Sequence, residues 1–127
     1  YYPVNLADIK NEEELVASIK QRKIELPLII KHSGPLEFGH LLVCVMNEEG
    51  IRKYYTYIKN MAEGYKSSEI DIIIQSFINH DGYFVKLFYI NNTASCYVRP
   101  SIPNITKSLE SEEKFGKGFY AFVTDEL

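Results

Sequence analysis

Three consecutive isoleucines, Ile72-Ile73-Ile74, run into Gln75-Ser76-Phe77-Ile78-Asn79-His80, and a lysine, Lys86, sits in the next apolar run. A buried strand that exits in this way and returns as a hairpin has the pattern of a nucleotide hinge. Backbone groups at the exit can read a flat heterocycle, apolar side chains wall it, and the lysine can reach a phosphate. A buried strand that simply ends is the plainer account of the same residues. Phe84, Lys86 and Phe88 share one strand face, and Tyr83, Val85 and Leu87 share the other. A lysine between two phenylalanines is costly to bury unless it meets an anion; a lysine snorkelling from an exposed strand is the alternative. Arg99 and Ser101 end the paired strand, where a guanidinium and a hydroxyl can meet phosphate oxygens. A structural salt bridge is the other role open to Arg99. Lys31 ends an earlier apolar run and His40 opens the next. On the residues alone, these are a solvated lysine and a loop-edge histidine.

Taken in order, Pro27-Leu28-Ile29-Ile30-Lys31, His40, Asn47-Glu48-Glu49-Gly50, Gln75 to His80, Lys86 and Arg99-Pro100-Ser101 resemble the inositol 1,3,4-trisphosphate 5/6-kinase family of ATP-grasp enzymes. The likeness covers about residues 25–105. It implies that the chain is the central, ATP-binding lobe of such an enzyme. The full enzyme moves the γ-phosphate of ATP to a hydroxyl of inositol 1,3,4-trisphosphate, at the 5/6 positions, or of an inositol tetrakisphosphate. ATP then falls to Lys31, to the hinge Gln75, Ser76, Phe77 and Ile78, and to Lys86 and Ser101. The inositol phosphate falls to His40, Lys86 and Arg99. Magnesium is implied as well, its ligands on a C-terminal lobe, with neither a catalytic group nor a metal ligand among these residues. The loop at residues 34–38, Gly-Pro-Leu-Glu-Phe, departs from the family's His-Gly-Thr-like core and is bulkier and more acidic than phosphate cradling asks for. A carboxylate–amine ligase of the ATP-grasp class and a non-catalytic ATP-grasp binding module are the alternatives.

The bulk numbers bound these readings. A chain of 127 residues is one domain with room for a core. Apolar content of 46% with 24% charged residues suits a water-soluble fold. A net charge of −3 argues against a nucleic-acid surface, so a phosphate site has to be a local cluster of cations. No apolar run approaches the ~18 residues of a membrane span. Cys44 and Cys96 both sit in apolar runs and are expected as two buried thiols of a reducing, cytoplasmic compartment. Asn91-Asn92-Thr93 and Asn104-Ile105-Thr106 match the glycosylation sequon, a pattern common by chance. The termini read as those of a piece cut from a longer, monomeric protein, lacking its N-terminal and C-terminal lobes. That piece alone is expected to be inactive.

The elements that must position these groups follow from periodicity. Residues 2–7 suggest a short strand. Asn11 can cap a helix with three glutamates in its first turn and basic residues near its end. Residues 26–31 and 41–46 read as strands joined by a loop at 32–39. Asn47 caps a second helix, with Ile51, Tyr54, Tyr55, Ile58 and Met61 on one face and Gly64 as its stop. Residues 70–75 read as a central strand, and 83–90 with 94–98 as a hairpin around Asn91-Asn92. Residues 107–117 read as a charged, mobile stretch and 119–123 as a last strand. The expected class is α+β, a mostly antiparallel sheet with two helices on one face.

Overall fold

The computed structural model describes residues 1–101, 104 and 118–123. The charged stretch at 107–117 lies outside the described residues. Strands β1 (Tyr2–Asn5), β2 (Leu28–Ser33), β3 (Leu41–Val45), β4 (Asp71–Ser76) and β7 (Phe119–Val123) form one antiparallel sheet in the order β1-β4-β2-β3-β7. Strands β5 (Tyr83–Ile90) and β6 (Thr93–Pro100) form a separate two-stranded hairpin. Helices α1 (Glu12–Gln21) and α2 (Glu48–Met61) pack on one face of the large sheet.

Both helices start as their sequences dictate. The Asn11 side chain accepts from the Glu14 N–H at 2.8 Å, and the Asn47 side chain accepts from the Gly50 N–H at 2.8 Å. Ile51, Tyr54 and Ile58 recur at helical spacing and are all buried. Arg52 of α2 ties the two helices together through Glu13 of α1 at 2.6 Å, and pairs within its own helix with Glu48 at 2.9 Å and Glu49 at 3.3 Å. The Arg52 guanidinium holds the Glu13 carboxyl below its usual range. These pairs lie at the surface and fix orientation more than they stabilise.

Strand alternation sorts the sheet into two faces. Leu28, Ile30, Val43, Val45, Ile72 and Ile74 meet the helices in the main core. Ile29, Cys44 and Met46 form a smaller cluster on the opposite face, joined by Leu42 and Phe77. Burial there pushes the Cys44 thiol up to about 12, so it is an inert core thiol.

Three sequence expectations need correction. β2 runs on to Ser33, two residues past the expected end at Lys31, because His32 pairs with Ile72 and Ser33 with Asp71. His32, expected in a loop, is therefore buried beside Leu28 and Ile30. Its Nδ1–H donates to the Leu41 carbonyl at 3.1 Å, and the Tyr54 hydroxyl donates to its Nε2 at 2.7 Å. Burial holds this imidazole down to about 4. Secondly, Cys96 is exposed rather than buried, because it lies on the outward hairpin face opposite Leu87. Lastly, Lys86 is exposed, so the apolar run around it does not desolvate its charge.

The 34–38 loop resolves its own bulk. Phe38 is buried in the main core, with its ring edge-on to Tyr65 at 5.6 Å, and a 3-10 turn over Leu36–His40 carries the chain to β3. The hairpin turn at Asn91-Asn92 has positive φ at both residues, 49° and 62°, the type I′ geometry that suits asparagine.

Candidate functional site: a cationic cleft between sheet and hairpin

Among the described residues, no second layer covers the face of the sheet away from the helices. β4 leaves the sheet at Ser76, and the chain then swings through residues 77–82 to start the hairpin. The Phe77 N–H donates to the Pro27 carbonyl at 2.8 Å, and the Ser76 hydroxyl accepts from the Glu25 N–H at 3.0 Å. With the Phe77 ring in the smaller cluster, these bonds anchor the hinge to the start of β2. The hairpin thus stands beside the sheet and leaves a cleft of about 740 Å³ between them. That is within the usual range for a site holding a nucleotide-sized ligand.

All nine residues singled out in the sequence line this one cleft. Lys31 comes from β2, and His40 from the turn before β3. Gln75, Ser76, Phe77 and Ile78 form the hinge wall, while Lys86, Arg99 and Ser101 come from the hairpin and its end. Alternation explains the sheet's contribution: Ile29, Lys31 and Leu42 point to the face opposite the helices, as does Gln75 of β4. Register explains the hairpin's contribution, since Phe84 pairs with Arg99 and both face the cleft beside Lys86. Ile78 is 78% exposed at the hinge, leaving an apolar side chain beside the open cleft.

Charge separates this cleft from the rest of the surface. Lys31, Lys86, Arg99 and two imidazoles line it, and among the described residues no carboxylate does, in a chain whose net charge is −3. Such a wall suits a polyanion. It does not suit magnesium, which takes carboxylate oxygens, and no group of three or more His, Cys, Asp or Glu among the described residues can hold a metal.

The structure adds residues that sequence reasoning had not placed. Ile29, Leu42, Phe84 and Pro100 supply apolar walls, and His80 bridges the hinge to Ser101. The strand faces could have supplied Ile29 and Leu42, since they alternate with core residues. His80 sits inside the hinge motif, but its partner lies 21 residues away and is set by the hairpin.

An antiparallel sheet backed by two helices, with a cationic cleft on its other face, is an arrangement that can hold a polyanion. Residues 2–123 match the model of the inositol 1,3,4-trisphosphate 5/6-kinase ATP-grasp domain, and the chain belongs to that family. It is also similar to inositol-tetrakisphosphate 1-kinase 1 of Arabidopsis thaliana, at 37% identity over 83 residues. The aligned part is 65% of this chain and 24% of that protein, so the chain spans about a quarter of that relative's length. Among the described residues no helix is long and apolar enough to cross a membrane.

Proposed function

We propose that this chain is the ATP-binding central lobe of an inositol polyphosphate kinase. ATP lies in the cleft between sheet and hairpin, with adenine against the backbone of Gln75, Ser76, Phe77 and Ile78. Lys31, Lys86 and Ser101 hold its phosphates. His40, Lys86 and Arg99 face the inositol phosphate, whose γ-phosphoryl acceptor is a hydroxyl of inositol 1,3,4-trisphosphate or of an inositol tetrakisphosphate. The carrying observation is the convergence of Lys31, Lys86 and Arg99 from two separate sheets on one cleft that no carboxylate lines among the described residues.

The physical case is electrostatic. Phosphoryl transfer leaves a protein little covalent chemistry to do, so positioned cations supply most of its contribution. Cations on two elements can grip a polyphosphate from both sides. The hinge supplies what a flat base needs: exposed apolar surface at Ile78 and backbone groups at a strand exit. The Phe77 N–H is already spent on Pro27, which leaves the Ile78 N–H as the hinge donor. Magnesium, if used, needs ligands other than the residues lining this cleft. The parent is taken to be a cytoplasmic monomer.

The test is phosphate transfer from ATP to inositol 1,3,4-trisphosphate and to inositol tetrakisphosphates by the full-length protein. A phosphorylated inositol product is expected from the full-length protein and none from this chain alone. ATP binding with no transfer to any inositol phosphate would leave a nucleotide-binding module and overturn the kinase assignment. Ile78→Pro, which removes the remaining hinge donor, should raise the ATP KM far more than Ser76→Ala does. Equal effects would count against a backbone-read hinge.

A further inference from the structure

His80 lines the cleft but holds none of the roles above. Its Nδ1 lies 2.9 Å from the Ile78 carbonyl oxygen and its Nε2 lies 2.8 Å from the Ser101 hydroxyl. A carbonyl oxygen only accepts, so Nδ1 carries the hydrogen. In the neutral ring Nε2 is then an acceptor, and the Ser101 hydroxyl must donate to it. The Ser101 oxygen in that state offers only lone pairs to the cleft. Phosphate oxygens also only accept, so this state of Ser101 cannot bond to one. Placing a proton on Nε2 reverses the bond. His80 then donates to the Ser101 oxygen, and the Ser101 O–H is free to turn to a phosphate oxygen.

We infer that His80 is a positioning residue that couples phosphate binding to proton uptake: a polyphosphate in the cleft selects the cationic imidazole, which releases the Ser101 hydroxyl to the ligand. This inference rests on the nucleotide reading of the cleft. The proton comes from solvent, and no covalent bond to the ligand forms. Lys86 and Arg99 face the same space from the hairpin, and Lys31 and His40 face it from the sheet. A bound anion offsets their charges and favours a proton on any imidazole that faces it. Asp81, next in the chain, is engaged by the Asn104 amide at 3.1 Å. The edge of the Phe77 ring packs against the imidazole at 5.5 Å, so His80 is held by the anchored hinge while it switches.

The test counts protons. Calorimetric titration of the protein with ATP, repeated in buffers of different ionisation enthalpy, gives the protons bound per ATP. His80→Asn keeps a donor for the Ile78 carbonyl and cannot titrate. Ser101→Ala keeps the ring and deletes the hydroxyl. His40→Asn removes the other imidazole of the cleft and serves as background. His80→Asn should lose the uptake that survives in His40→Asn, and Ser101→Ala should weaken ATP about three- to tenfold. If His80→Asn fails to fold, reduced uptake in Ser101→Ala carries the same expectation. Wild-type proton uptake in both His80→Asn and Ser101→Ala would overturn the coupling while leaving ATP binding intact. Failure of the wild type to bind ATP would instead overturn the nucleotide reading, and this inference with it. Independently of ATP, nitrogen NMR of the free protein at a pH where the His80 ring is neutral should show its hydrogen on Nδ1; hydrogen on Nε2 of the neutral ring would contradict the bonding on which the switch depends.

Discussion

Strands β2 and β5 are built from similar residues, each an apolar run with one lysine, yet they end in different surroundings. Leu28 and Ile30 of β2 are fully buried, whereas Val85 and Leu87 of β5 are 55% and 69% exposed. The difference lies in the next layer. α1 and α2 cover one face of the large sheet, and the smaller Ile29 cluster closes part of the other. Among the described residues nothing covers the outward face of the hairpin. A two-stranded hairpin is marginal by itself, so this one depends on its inner face and on the anchored hinge. Alternation therefore tells which side chains share a face; it does not tell whether a partner layer exists.

Several changes can break or sharpen that contrast. The largest effect is expected from Ile30→Ala, which empties a fully buried position. It should cost about 2–5 kcal/mol in denaturant unfolding. A cost below 1 kcal/mol would mean that the helix-backed core is looser than described.

Acid comes next. His32 is neutral in the fold down to about 4, against an ordinary value of 6.5. Between those values the unfolded chain binds a proton that the folded chain refuses. The stability contributed by a neutral His32 is therefore complete above about pH 6.5, shrinks as pH falls, and is gone below about pH 4; it amounts to ~3 kcal/mol. Proton NMR should place the His32 midpoint well below the ordinary value of 6.5, and a midpoint at that value would contradict the burial of His32.

Gly50→Ala should follow, because a Cβ there overlaps the Gly118 carbonyl, the same oxygen that accepts from the Met46 N–H at 2.8 Å. The neighbour is backbone and cannot swing aside, so a loss of about 1–3 kcal/mol is expected from thermal unfolding. Stability equal to wild type would place β7 elsewhere. Smallest of all, Leu87→Ala on the outward hairpin face should change stability by no more than about 0.5 kcal/mol. A large loss there would show that the face is covered after all.

Much of this structure was legible in the sequence, for identifiable reasons. Asparagine caps and acidic first turns located both helices, because those signals act locally. The isoleucine run at residues 70–75 located an interior strand, which the structure places between β1 and β2. The family resemblance picks out nine residues by type and order, and all nine line one cleft. What could not be read depends on contacts distant in sequence. His32 looked like a loop residue until its pairing with Ile72 was known, and its partner Tyr54 lies 22 residues on. Cys96 and Lys86 looked enclosed because the runs around them are apolar. The His80–Ser101 bond exists only because the hairpin returns Ser101 to the hinge, where its N–H donates to the Gly82 carbonyl at 2.9 Å.

The central claim is that sheet and hairpin grip one polyphosphate together, and ATP affinity in Lys31→Met, Lys86→Met and the double variant tests it most directly. Lys31 belongs to β2 and Lys86 to β5, and both are exposed, so methionine should leave the melting temperature near that of wild type. Each single change should weaken ATP about ten- to a hundredfold, the usual loss for a charged donor removed from a phosphate, and the double change should weaken it further. A double variant that binds ATP as tightly as wild type, with its fold intact, would show that the cleft is not the nucleotide site.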